Sequence, residues 1–345
     1  MQQLTQSKLD KIVEKTASKR WITGTVFRVE TLDNSVSLKS ASGNFIANES
    51  FYIASINKIF LSAITLRLAQ ENKLNLSDKI GKYLPADLMN GLLIYKGVDY
   101  SGEITIEQLI SHTSGLPCYL IDKRNEGTKV MKELLQGNDQ EWPTEKVIAQ
   151  VKKMKSKFYP GQKGKAAYSN TNFRLMGKIL EVFIGLPLDD ILNNLFGELS
   201  MKHTYVFNLQ NEKEFVPIYC KEKPVFLPRY FASSKYDVIS TAGDLMIFLK
   251  AFFNGYFYPK EKLPELEKWN DIFFPFKYGV GIQKFYTPRL FSPFMPVPDM
   301  IGHCGSTGTA AFFIPDKKVF ITGAVNQTKN PRIIFNALIK IMNEI

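Results

Sequence analysis

Strand-like segments at both ends of the chain, with helical periodicity between them, predict a mixed α+β protein. One antiparallel sheet forms from the two termini, helices flank it, and a helical domain stands beside it. Three observations carry this. Residues 21–29 and 35–39 read as strands joined by the turn Thr31-Leu32-Asp33-Asn34. Residues 309–314 and 319–325 read as a second pair joined by Pro315-Asp316-Lys317-Lys318. Amphipathic segments lie outside both pairs, at residues 8–17 and after Pro331, where Ile334, Leu338, Ile341 and Ile345 share one stripe.

Between these ends, a loop containing Gly43 leads to a helix expected to start at Ser55, and residues 61–250 read as mostly helical with loops. Asn75-Leu76-Ser77-Asp78-Lys79-Ile80 reads as a cap and a short helix start. Residues 278–285 alternate as a strand does. Residues 257–300 are rich in proline and aromatics, as in Phe273-Phe274-Pro275-Phe276 and Phe291-Ser292-Pro293-Phe294-Met295-Pro296. Such a segment either walls a substrate pocket or packs as a loop on the sheet edge. The expected division is a sheet domain of residues 1–60 and 235–345, a helical domain of 61–234, and a site between them.

The chain has 345 residues, 45% hydrophobic and 22% charged, enough for one large domain or two closely packed ones. No run reaches the length of a membrane span, and the first residues lack the apolar core of a secretion signal. The chain is therefore expected to be cytoplasmic, or exported with a signal already removed. Cys118, Cys220 and Cys304 form no disulfide framework, and His112, His203 and His303 stand at no zinc-ligand spacing, so neither metal nor cofactor is expected. The net charge of +11 comes from scattered lysines without a nucleic-acid motif, which favours a solvated surface over a nucleic-acid face. Attraction to an acidic surface stays open. The composition does not set the oligomeric state.

The chemistry-bearing pattern begins with Ser55-Ile56-Asn57-Lys58. A helix starting at the serine puts Ser55 and Lys58 one turn apart on one face. A buried, partly neutral amine beside a hydroxyl can take its proton and make a nucleophile without histidine. The flanking Ile53, Ala54, Ile56, Ile59 and Phe60 set the pair against a core. Tyr168-Ser169-Asn170 follows the turn Tyr159-Pro160-Gly161 and precedes a helix with Phe173, Met176, Leu180 and Phe183 on its apolar stripe. A phenol near a cationic lysine is expected to have a lowered pKa and to shuttle protons; Asn170 can bond a substrate amide. Taken alone, the tripeptide is a weak signal, and a core tyrosine followed by an asparagine cap is the default reading. His303-Cys304-Gly305-Ser306-Thr307-Gly308 precedes the strand from Thr309, where glycines allow close backbone approach and N–H groups can face an oxyanion. Taken alone, a tight glycine turn with an incidental histidine fits equally well.

In this order, Ser-x-x-Lys, Tyr-x-Asn and His-x-Gly resemble the motif set of the serine β-lactamase and penicillin-binding-protein-like superfamily, in its class C, esterase and D-aminopeptidase branch. Ile104 to Pro117, Tyr168 to Gly177 and Ser240 to Leu245 resemble further segments of that branch, and the likeness runs from about residue 20 to about 328. The resemblance implies a β-lactamase/transpeptidase-like fold. It implies Ser55 as acylated nucleophile, Lys58 as its proton partner, and Tyr168 as the group that assists acylation and later activates water. It also implies Asn170 as a substrate-amide ligand and the Ser55 and Ser306 N–H groups as the oxyanion hole. His303 and Gly305 stand in the Lys-Thr-Gly position. A histidine there is mostly neutral at pH 7, which weakens the pull on a substrate carboxylate. His112 lies in a segment that looks structural.

The expected function is a cofactor-free serine hydrolase acting through an acyl-enzyme. Its substrate is a small ester, a D-amino-acid amide or peptide, or weakly a β-lactam. The alternative is a slow penicillin-binding or sensor-like module of the same fold.

Overall fold

The computed structural model describes residues 4–210, 215–288 and 297–345. A sheet built from both chain ends is its spine. Its eight strands run in the order Asn270–Phe273, Phe276–Tyr278, Gln283–Phe285, Met300–Gly305, Thr309–Ile314, Val319–Ala324, Gly24–Thr31 and Ser37–Gly43. All neighbours are antiparallel. The termini meet where Val26 faces Ala324 and Thr31 faces Val319.

Strand alternation sorts the core into two faces. Phe27, Val29, Phe312, Ile314 and Ile321 pack on Leu9 and Val13 of the helix Gln6–Ala17 and on Ile334, Leu338 and Ile341 of the helix Ile333–Asn343. Val26, Ala311 and Phe320 join the opposite face, against Phe248, Phe252 and Phe253 of the helix Ala242–Phe253. Each such large side chain taken fully out of water contributes about 1.5–3 kcal/mol. The terminal helices therefore cover one face as expected, although Ile345 lies beyond the last helix and is half-buried.

The local reading needs several corrections. Residues 278–285 are a turn between two strands, not one strand, because Gly281 adopts φ +78 and redirects the chain. The second strand is Ser37–Gly43 rather than 35–39, and the first ends at Thr31. Asn75 accepts from the Ser77 backbone and hydroxyl, which makes a turn, and only Ile80–Lys82 closes a 3-10 turn. His303 precedes the strand from Thr309 as expected, but it lies inside a further strand, Met300–Gly305, that the sequence reading did not give. Residues 61–250 also hold short strands. Tyr205–Val206 and Val238–Ser240 join Phe51–Tyr52 in a three-stranded sheet. Strands of two or three residues leave no periodic signal.

This small sheet positions the site. The Ile53 N–H donates to the Val238 carbonyl at 3.1 Å, tying the chain before Ser55 to the strand Val238–Ser240. The helix Asn57–Gln70 follows, with residues 57–66 all buried. Buried on every side over these residues, it is a central helix, so its start lies in the core. No helix among the described residues is long and apolar enough to cross a membrane.

Candidate active site

Ser55 lies in a 3-10 turn, Ala54–Ile56, and the α-helix begins only at Asn57. The expected helix start at the serine is displaced because Ala54 has φ +51, a left-handed conformation unfavourable for alanine. Contacts from the far end of the chain hold it there. Thr309 Oγ1 donates to the Ile53 carbonyl at 2.9 Å and Thr307 Oγ1 to the Tyr52 carbonyl at 3.3 Å. Gly305 completes the clamp: a Cβ on it would stand 2.6 Å from the Ile53 oxygen and 2.9 Å from the Ala54 Cβ. Glycine is what lets the strand approach the turn that carries Ser55.

Lys58 Nζ donates to Ser55 Oγ at 3.1 Å. Its side chain is 2% exposed, and desolvation lowers its pKa to about 8. About a tenth of such amines are neutral at pH 7. Tyr168 closes the group: the Lys58 ammonium stands 5.4 Å from its ring centre. The expected lowering of the phenol does not hold. Burial dominates and pushes Tyr168 well above its ordinary value, and the Ser55 hydroxyl beside it offsets this only in part. At neutral pH Tyr168 carries a proton to give.

His112 builds the loop that presents Tyr168. Its Nδ1 accepts from the Ser169 N–H at 3.2 Å and lies 3.2 Å from Asn172 Nδ2, while its carbonyl accepts from the Ala167 N–H at 2.9 Å. Its ring lies 4.5 Å from the Tyr168 ring. Asn170 starts the helix Asn170–Ile184 and lines the cleft, but its backbone and side-chain nitrogens both face Cys118 Sγ, at 3.3 and 3.4 Å. The amide nitrogen is thus occupied.

His303 is fully buried, and desolvation lowers its pKa to about 3. Its Nδ1 lies 2.8 Å from the Cys304 carbonyl and must carry the proton there; Nε2 then accepts from the Tyr278 hydroxyl at 3.1 Å. The histidine offers a substrate neither charge nor a proton. The adjacent Cys304 thiol, bonded to Gln283, is pushed up to about 12 by desolvation and is no rival nucleophile.

Ser55, Lys58, Asn170 and Ser306 line one cleft, with Leu120, Met131, Leu134 and Phe231 among its apolar walls. Tyr168 touches it through Lys58, whereas His303 and Gly305 lie behind its surface. The aromatic segment reaches the group through Phe273, whose ring meets that of Tyr168 edge-on at 6.1 Å, and through Tyr278. Its part from Phe291 to Pro296 lies outside the described residues. Among the described residues no three potential metal ligands cluster. The sequence reading missed Tyr52 and Asp237, which also line the cleft, and Arg174 behind them; none belongs to a motif that would have signalled it.

Comparisons with known proteins bear on the fold and the family. "Protein flp" of Staphylococcus aureus strain MW2 is 29% identical over 160 residues, which is 45% of this chain. The match spans about a quarter of that relative, 27% of its length. A D-stereospecific amidohydrolase from Streptomyces sp. superposes with a TM-score of 0.78 at 22% identity, covering 97% of this chain and 98% of that one. The D-amino acid amidase of Ochrobactrum anthropi SV3, complexed with D-phenylalanine, superposes with a TM-score of 0.78 at 17% identity, covering 98% of each chain. At these identities the two structures speak for the fold. The Beta-lactamase family pattern matches residues 9–339, nearly the whole chain, and with the lysine–serine turn in place the chain belongs to the Beta-lactamase family.

Proposed function

We propose that the protein is a serine hydrolase acting through an acyl-enzyme on a small ester or amide, D-amino-acid amides included. The observation that carries this is the 3.1 Å contact from a buried, partly neutral Lys58 amine to Ser55 Oγ. In the neutral form the amine takes the Ser55 proton as Oγ attacks the substrate carbonyl. The Ser55 and Ser306 N–H groups receive the oxyanion; one such donor is worth about 2.7–4 kcal/mol of barrier. Tyr168, held protonated, gives its proton to the leaving group and regains one from Lys58. Water then cleaves the ester by the reverse relay. The neutral His303 supports the preference for substrates without an anionic tail, so β-lactams and carboxy-terminal peptides are poor substrates.

The test is a panel of p-nitrophenyl esters, D-amino-acid amides and nitrocefin on wild type and Ser55→Ala, with a fluorophosphonate label located by mass spectrometry. Turnover and labelling at Ser55, both lost in Ser55→Ala, are expected. A protein that neither labels nor turns over any of the panel sinks the proposal.

A further inference from the structure

The cleft holds a carboxylate that the reaction above does not use. Asp237 lies just before the strand Val238–Ser240, whose Val238 carbonyl anchors Ile53, two residues from Ser55. Asp237 lines the same cleft as Ser55 and Lys58, yet is 5% exposed. One oxygen accepts from the Tyr52 hydroxyl at 2.5 Å. The Ser234 hydroxyl is a second, shared donor beside the carboxylate. It also donates to the Phe231 carbonyl at 2.9 Å and accepts from the Asp237 N–H at 2.9 Å. Arg174, buried behind it, spends its N–H groups on the Ser234 carbonyl and the Tyr119 hydroxyl. Among the described residues no lysine or arginine nitrogen lies within 4.0 Å of the Asp237 carboxylate, although Lys58 and Arg174 both act on it through space.

A buried carboxylate held by two neutral hydroxyl groups and no ion pair is costly unless a cation completes it. Burial accordingly pushes the Asp237 pKa above the ordinary carboxylate value. Its open side faces the cleft, where the opposite end of recognition is missing: His303 is neutral and Arg174 is spent. Among the cleft-lining residues only Lys58 and Asp237 are ionisable to full charge near neutral pH, and with Lys58 engaged on Ser55, Asp237 is left to meet a cation on the substrate. Its apolar walls suit a hydrophobic side chain of an amino acid.

Resting on the hydrolase reading above, we propose that Asp237 accepts the free ammonium group on the acyl side of the substrate. The site thereby selects small aminoacyl amides and esters whose amine is unblocked. Asp237 is a specificity-determining residue; it takes no part in the proton relay.

The experiment compares kcat/KM for phenylalanine amide, both enantiomers, with that for the N-acetylated amide. Wild type is expected to favour the better free-amine enantiomer by roughly tenfold or more. In Asp237→Asn the ratio is expected to fall to near one, mainly through KM, because the Tyr52 hydroxyl can still donate to the new amide oxygen. Equal use of both substrates by wild type overturns the proposal without any variant. So does an unchanged ratio in Asp237→Asn. An equal loss on both substrates with a displaced pH profile assigns Asp237 to holding Lys58 and also overturns it. Calorimetric binding of the two amides to Ser55→Ala separates the two proposals. Amine-selective binding without any wild-type turnover sinks the hydrolase reading alone. Turnover with no amine preference sinks the ammonium reading alone.

Discussion

Lys58 is held where burial opposes its charge, and that opposition makes it useful. Its folded pKa of about 8 lies below the free value of 10.5. Between these values the unfolded chain binds the extra proton, so stability rises as pH climbs from 8 to 10.5. Below pH 8 the full cost stands, roughly 3 kcal/mol. Lys58→Met is therefore expected to unfold at higher urea at pH 7, gaining up to that amount, with the gain fading above pH 10. Its esterase rate should fall by about a thousandfold. Urea melts at several pH values check the first outcome and p-nitrophenyl acetate the second. The same pKa sets the rate profile. With a neutral ester, kcat/KM should climb nearly tenfold per pH unit below 8 and level off above it. A flat profile from pH 6 to 8 would remove Lys58 as the base.

The hairpin formed by Met300–Gly305 and Thr309–Ile314 does more than extend the sheet. Through Thr307, Thr309 and Gly305 it presses the turn carrying Ser55 into the left-handed conformation at Ala54. Strain of this kind costs about 1–3 kcal/mol and persists only where surrounding contacts impose it. Gly305→Ala would put a methyl group against the Ile53 oxygen. We expect it to lower the unfolding free energy by about 2 kcal/mol or more and to slow acylation of Ser55. Thermal melts and the fluorophosphonate labelling rate read the two effects. Normal labelling by a fully stable variant would show that the turn does not need the clamp. The loop carrying Tyr168 has a comparable support in His112, which also explains why a histidine outside the reaction lies 4.5 Å from that ring.

Two histidines buried in neutral form make the entire fold acid-sensitive. Desolvation lowers His112 well below its ordinary value of 6.5, and His303 to about 3. Below pH 6.5 the unfolded chain takes up protons that the folded chain refuses, so stability falls with pH. The slope is about 1.4 kcal/mol per pH unit for each histidine, and for His303 it continues to about pH 3. Urea midpoints should therefore drop steeply between pH 6 and 4, and His303→Gln should remove one proton's share of that slope. An unaltered slope in the variant would mean that His303 is charged in the fold.

The chain order of Ser55-x-x-Lys58, Tyr168-x-Asn170 and His303-x-Gly305 was readable from one dimension, because each motif is local and sits at an element boundary with its own punctuation. The sheet from both ends was readable for the same reason: strands of six to eight residues alternate, and Pro315 and Asp33 mark their turns. Gly279 and Gly281 carried a turn signal that the apolar alternation of residues 278–285 overrode. The electrostatics depended on packing. Whether Tyr168 has a lowered or raised pKa, and whether His303 is a cation or a neutral acceptor, depends on desolvation by residues hundreds of positions away. Asp237 has no motif at all. It enters the cleft because the strand Val238–Ser240 pairs with Phe51–Tyr52 across the fold. Residue type and spacing decide which groups can react, but charge state follows from burial and from partners, and those exist only after the chain has closed on itself.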